Sequence, residues 1–196
     1  MSATARGCLF FYSHAKSEHA CFSQFYHCYF VDGAGVEYFC AEQYMMAAKA
    51  RVFGDWETLE QILQAEDPAT CKALGRRVVG FNQVRWEDVR SAIVEHGNYL
   101  KFSQTPKLRK TLSRTGDLTL VEASRNDSIW GIGVSVRDAA AGAKWRGLNL
   151  LGCALMSVRS ALAEGSPVPP PQIMERPGVN SEDIQAAGLT SLEEAC

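Results

Sequence analysis

The stretch YFCAEQYMMAAKARVF, residues 38 to 53, restricts the possible folds of this chain more than any other. Its small and apolar residues at helical spacing predict a helix with a buried face, yet Glu42 and Lys49 lie inside it. Their separation is almost two turns, so they share a face, with Met45 and Met46 between them and Phe53 a turn further on. Helical side chains lean toward the N-terminus, so Lys49 leans back toward Glu42, across roughly 10 Å between Cα atoms. Two readings stand. The pair forms a salt bridge at the rim of the core, as buried charges usually do. Otherwise both line a pocket with a ligand atom between them. Desolvation then raises the pKa of the carboxyl and lowers that of the amine, which leaves a nucleophile for a sugar's anomeric carbon.

The rest of the chain is ordinary in composition. It has 196 residues, enough for one domain with a core, and a formal charge of −2, which gives no global field for nucleic acid or an anionic membrane. No apolar run is long enough to span a bilayer, and the start, MSATARGCLFFYS, lacks a long apolar signal region. The seven cysteines form no C-x-x-C pair, and the four histidines lack metal spacing. These features predict reduced thiols in an intracellular, cytoplasmic protein with no metal. There is no phosphate loop of P-loop or dinucleotide type, no G-x-S-x-G and no Cys–His nucleophile motif, so no cofactor is expected.

Short strands are predicted at LFFYS (9–13), CYFVD (28–32) and VEYF (36–39), with DGAG turning the chain between the last two. Asp55 caps a second helix with Trp56, Leu59, Ile62 and Leu63 on one face. Pro68 opens a third, running to about Val79. Asn82 opens a long fourth, with Trp86, Val89, Ile93 and Leu100 as its buried stripe, and Pro106 a short basic fifth. LTLVEAS (118–124) alternates like a strand, and SIWGIGVSV (128–136) reads as strand plus tight turn. LNLLGCALMSVRSALA (148–163) is the last strong helix. The chain divides into a domain over residues 1–165 and a Pro-rich tail over 166–196, docked or disordered.

Other stretches carry candidate chemistry. In DSIWGIG, Asp127 caps a turn or accepts from a ribose hydroxyl, Trp130 packs or stacks on a base, and Gly131 and Gly133 allow close backbone approach. Asn149 is a helix N-cap, or marks a helix end open to a diphosphate. Arg76 and Arg77 are surface charge or phosphate ligands. Lys101, Lys107, Arg109, Lys110 and Arg114 form a local basic patch. In FSQF, Phe22 and Phe25 flank Ser23 and Gln24, for core packing or base stacking. Trp86 most simply packs.

Taken in order, FFYS near residue 10, FSQF at 22, VEYFCAEQYMMAAKA at 36, ALGR at 73, Trp86, YLKFSQ at 99, LVEASRNDSIWGIG at 120 and GLNLLGCALMSVR at 147 resemble the NADAR (NAD and ADP-ribose associated) family, with its YbiA-type N-glycosidases. The resemblance covers residues 9 to about 162. It implies a single, mainly α-helical domain with a small antiparallel β-sheet (α+β). It also implies cleavage of the bond between ribose C1 and a nitrogen base, with two substrate classes: ADP-ribose attached to guanine in nucleotides or nucleic acid, and ribosylamino-pyrimidine intermediates of riboflavin synthesis. The family's essential Glu matches Glu42, its helix Lys matches Lys49, and its Trp after the arginine segment matches Trp86. The Asp and Trp of D-x-x-W-G match Asp127 and Trp130, and the Asn of G-x-N-x-L-G matches Asn149. The expected catalytic set is Glu42, Lys49 and Asp127; the expected substrate-binding set is Phe22, Ser23, Arg76, Trp86, Trp130, Gly131 and Asn149. Departures are FSQF for an FSNF-type motif, Gln43 where many members have His, and a longer segment, DAAAGAKWRG, before the last helix. Lys49 adds to C1 and forms a Schiff base, or water attacks directly with Glu42 as base. A non-catalytic ADP-ribose reader and an interaction module acting through the tail are the competing functions.

Overall fold

The computed structural model describes residues 2–13 and 17–173. The chain begins with strands β1 (Ser2–Ala5) and β2 (Cys8–Phe11). A 3-10 turn at Ala20–Phe22 leads to the hairpin β3 (Phe30–Val31) and β4 (Glu37–Tyr38). Helices α1 (Ala41–Phe53), α2 (Trp56–Leu63), α3 (Pro68–Gly75), α4 (Gln83–Gln104) and α5 (Pro106–Ser113) follow. Strand β5 (Thr119–Glu122), the short α6 (Val136–Ala140) and α7 (Leu150–Glu164) complete the fold.

The fold is mostly helical with small sheets, as expected. The three-stranded sheet has the order β1-β2-β5, with β1 antiparallel and β5 parallel to β2, and is therefore mixed; β3 and β4 pair antiparallel. Parallel pairing follows from the connection, because the chain passes through α1 to α5 before returning beside β2. Strand β1 was not foreseen; it continues from β2 through Arg6 and Gly7, both at positive φ. The sheet is covered on both faces. Leu9, Phe11 and Leu120 enter the main core, while Phe10 and Val121 join Ile132, Val134 and Ala139 in a smaller cluster with α6.

Local chemistry explains most boundaries. Helix α1 starts at Ala41 and not at Tyr38, because Cys40 Sγ accepts from Gln43 N and Gln43 Oε1 accepts from Phe39 N. This reciprocal arrangement works like a capping box. Gln43 Nε2 also donates to Ile62 O and Leu63 O, which fastens α1 to the end of α2. Asp55 and Asn82 cap α2 and α4 as predicted. Helix α3 stops at Gly75, short of Val79, whose N–H donates to Asp55 Oδ2. In the DGAG turn, Asp32 Oδ1 accepts from Ala34 N and Val36 N, and its Oδ2 accepts from Tyr38 Oη.

Three sequence expectations fail for tertiary reasons. Of the α4 stripe, Trp86 and Ile93 are buried but Val89 and Leu100 only half so; Arg90, Val94, Asn98 and Lys101 complete a broader face, since α4 packs on both α1 and α7. Lys101 is fully buried, not part of a basic patch: its Nζ donates to Ser23 O at 2.9 Å. Residues 128–136 are not a strand. Residues 128–135 form a loop laid against residues 146–151 by backbone bonds, among them Leu148 N to Ser128 O, Asn149 N to Gly131 O and Leu151 N to Trp130 O, and Val136 opens α6.

The six cysteines among the described residues are free thiols, and Cys196 lies outside those residues. Among the described residues no helix is long and apolar enough to cross a membrane. The first part of the expected tail reaches α4, with Val168 O at 2.9 Å from His96 Nδ1. Residues 174–196, including the short helix expected near NSEDIQ, lie outside the described residues.

Helices α1 and α4 cross closely at Gly97, where a Cβ would stand 2.5 Å from the Tyr44 ring. Alanine there gains about 1 kcal/mol of helix propensity. Pushing apart two packed helices costs ~1–3 kcal/mol, and a ring in a packed core has little room to yield. Gly97→Ala is expected to lower stability by about 1–2 kcal/mol, read from denaturant unfolding; an unchanged midpoint contradicts this packing.

Candidate active site

A cavity of about 340 Å³ opens where the first turn of α1, the end of α3, the start of α4, the end of β5 and the loops at 23–25 and 126–130 meet. Glu42 and Lys49 both line it. They are not a salt bridge: no ion pair joins them among the described residues. Lys49 Nζ donates to Gly75 O at 2.7 Å and lies over the rings of Phe81, at 4.2 Å from its centroid, and Trp86, at 5.6 Å. Its partners are a carbonyl and two aromatic faces, and burial lowers its pKa.

Glu42 is 5% exposed, and its N–H donates to Gln24 O. Burial pushes its carboxyl up to about 7; Lys72 opposes this, the charge of Asp127 adds to it, and Arg76 opposes it again. The free N–H groups of the helix end favour the anion only in part.

A second carboxylate faces the same cavity. Glu122, the last residue of β5, is partly covered as a residue, but its Oε2 atom is buried with no hydrogen-bond partner. Burial pushes this carboxyl up to about 8; Asp127 adds to the effect, Lys72 opposes it, and Glu42 adds a smaller contribution. Lys72 is half-buried, its ammonium 5.5 Å from the centroid of the Phe25 ring.

Of the residues expected at the site, Ser23, Glu42, Lys49, Arg76, Trp86, Asp127 and Trp130 meet at this cavity. Phe22, Gly131 and Asn149 are not part of its lining. Phe22 is fully buried against Phe11 and Phe102, and Phe25 supplies the aromatic wall instead. Gly131 serves the loop: a Cβ there would stand 2.8 Å from Glu122 O. Asn149 neither caps α7 through its side chain nor faces the cavity. It is buried in the left-handed region at φ 56°, which asparagine tolerates better than most residues. Its Oδ1 accepts from Glu122 N at 3.0 Å and its Nδ2 donates to Leu120 O at 2.9 Å. It thus pairs the free edge of β5 as a neighbouring strand would.

Asp127 has a local duty as well. Its Oδ1 accepts from Ile129 N at 2.9 Å and Trp130 N at 2.8 Å, which sets the turn that presents Trp130. Sequence reasoning passed over Glu122 and Lys72. A signal for Glu122 was present: Leu118, Leu120 and Glu122 alternate, so the carboxylate continues the strand's core-facing row.

The comparisons with known proteins agree with this architecture. Residues 10–163 match the model of the NADAR domain. The chain is 49% identical over 125 residues to an N-glycosidase of Acanthamoeba polyphaga mimivirus, covering 63% of this chain and 74% of that one. It is 31% identical over 123 residues to N-glycosidase YbiA of Shigella boydii, covering 63% and 69%. The NMR structure of the E. coli protein YbiA superposes with a TM-score of 0.69 at 28% identity, covering 83% of this chain and 89% of that one. With a family match over residues 10–163 and this likeness along most of its length, the chain belongs to the NADAR family, among the YbiA-like N-glycosidases.

Proposed function

We propose that the protein hydrolyses the bond between the ribose C1 of ADP-ribose and a nitrogen of guanine, in a nucleotide or in nucleic acid. One observation carries the reading: a single cavity holds the buried carboxyl of Glu42 together with Lys49, an amine engaged by a carbonyl and not by an acid. Cleaving an N-glycoside builds positive charge on C1 and the ring oxygen. A carboxylate beside C1 offsets that charge, more strongly in a dry cavity than in water. Lys49, with its lowered pKa, is neutral more often than a surface lysine. It adds to C1 as the ring opens, the base departs, and water hydrolyses the resulting imine while Glu42 moves the protons.

The walls suit this substrate. Trp86, Trp130 and Phe25 offer flat faces to ribose and base. At about 340 Å³ the cavity is at the low end for small-molecule sites, so the diphosphate runs outward past Lys72 and Arg76. Asp127, with Oδ1 engaged by the loop, holds Trp130 in place and leaves Oδ2 for a ribose hydroxyl.

The assay offers ADP-ribosylated guanosine and, separately, a ribosylamino-pyrimidine phosphate, and follows release of the base. Faster release from the guanosine is expected; release from the pyrimidine alone overturns the substrate assignment. Glu42→Gln is expected to lower kcat about 100-fold or more. Trp130→Ala is expected to raise KM roughly 5- to 150-fold, the equivalent of ~1–3 kcal/mol of stacking. Borohydride added during turnover is expected to trap an adduct on Lys49; full turnover without an adduct selects direct attack by water.

The raised carboxyl of Glu42 also sets a stability profile. Its proton leaves near 4.5 in the unfolded chain and near 7 in the folded protein. Folded protein therefore loses stability as pH rises through that window. Glu42→Gln removes the loss. The variant is expected to be more stable than wild type at pH 8, by roughly 3 kcal/mol at most, with the difference vanishing below about pH 4.5. Thermal unfolding across that range checks it.

A further inference from the structure

We propose that Glu122 is the general acid of this site: its carboxylic acid, held at the end of β5 with a buried oxygen that has no partner in the protein, delivers the proton to the nitrogen of the leaving base. The proposal rests on the N-glycosidase reading and adds the step which that reading leaves open. Guanine nitrogen departs poorly as an anion, so a proton must arrive as the C1–N bond lengthens.

The other groups around the cavity are poor sources of that proton. Glu42 is needed as the carboxylate. Lys49 is needed as the free amine. Lys72 and Arg76 are assigned to the outgoing diphosphate. Asp127 is engaged by the turn, where its Oδ1 accepts backbone N–H bonds from Ile129 and Trp130. Glu122 remains, and it is built to be precise. Its N–H is bound by Asn149 Oδ1 and its carbonyl by Ile132 N, with Gly131 packed against that carbonyl. Its side chain leaves a fixed backbone on the same face as Leu120. Glu42 and Lys49 on α1, Lys72 on α3, Arg76 just past its end and Asp127 on the 126–130 loop are the charges around the cavity. Burial raises both carboxyls above the ordinary range. Two carboxyls in one cavity divide into an acid and a base where their surroundings differ, and of these two Glu122 is the one whose buried oxygen has no partner in the protein.

The step balances. The C1–N bond breaks, its electron pair stays on nitrogen, and nitrogen takes the proton of Glu122, which becomes a carboxylate. C1 gains a bond to Lys49 Nζ, or to water in direct attack. The proton shed by that nucleophile passes to Glu42 and returns to Glu122 through solvent before the next turnover. One water is consumed, and the products are ADP-ribose and the free base.

The test is a single-turnover pH profile from pH 5 to 10 on ADP-ribosylated guanosine, for wild type and Glu122→Gln. Wild type is expected to slow on the alkaline side as Glu122 loses its proton. Glu122→Gln is expected to be about 100-fold slower or more at its best pH, with KM within a fewfold of wild type and no alkaline decline. Glu122→Asp is expected to restore part of the rate together with the decline. A Glu122→Gln rate within threefold of wild type, or a slow variant that keeps the alkaline decline, overturns the proposal. Thermal unfolding confirms that both variants are folded, and a Glu122→Gln chain that does not fold leaves the Glu122→Asp profile to decide. If wild type cleaves only the ribosylamino-pyrimidine phosphate, the guanine assignment fails by itself. The same profiles are then taken on that substrate, whose leaving amine needs the same proton.

Discussion

The structure depends on taking a carboxylate into the interior without a direct ion-pair partner. Ten of the thirteen residues of α1 are buried, and Glu42 is one of them. A buried charge of this kind is costly, and the protein meets the cost by letting the carboxyl hold its proton more tightly and by keeping Lys72 and Arg76 at a distance. A direct salt bridge to Lys49 would be the cheaper arrangement. It is absent because Gly75 O and the aromatic faces of Phe81 and Trp86 hold the amine at the other end of the cavity. Acid and amine are thus kept from neutralising each other, at the expense of stability near neutral pH.

The second dependence is on rigid backbone under the far wall. Strand β5 is an edge strand, and edges leave N–H and C=O groups unpaired. Asn149 fills those positions at Leu120 and Glu122, and the loop over residues 128–135 folds back onto the segment that precedes α7. The glycines in this region are close-packing residues: a Cβ on Gly147 would lie 2.3 Å from Gly131 O. The cavity therefore has one wall on a buried helix and another on a loop clamped by many backbone bonds. Neither wall is a free surface loop, which suits a site that must hold charged groups in fixed positions.

Much of the fold was legible in the sequence because it rests on local chemistry. Asp55, Pro68 and Asn82 start helices wherever they occur in such contexts, and DGAG turns because Asp32 satisfies the backbone of Ala34 and Val36. The errors share one cause. Phe22 and Phe25 look alike in FSQF, and only packing against Phe11 and Phe102 sends one into the core and leaves the other at the cavity. Lys101 reads as a surface charge until Ser23 O receives its ammonium from 78 positions away. SIWGIGVSV has strand composition, but the partners of its backbone lie in residues 146–151 and not in the sheet.

The sequence by itself determined α1 to α5 and α7, the caps at Asp55 and Asn82, and the presence of an acid and an amine on one helical face, because each follows from interactions within a few residues. It also carried the ordered set of motifs that marks the family. Tertiary structure decided which of those groups share a cavity, that the amine is held away from the acid, and that Glu122 joins them while Asn149 stands behind. Those outcomes depend on contacts between segments distant in the chain, and on the loss of water around each charge. Neither is encoded in any single stretch of residues.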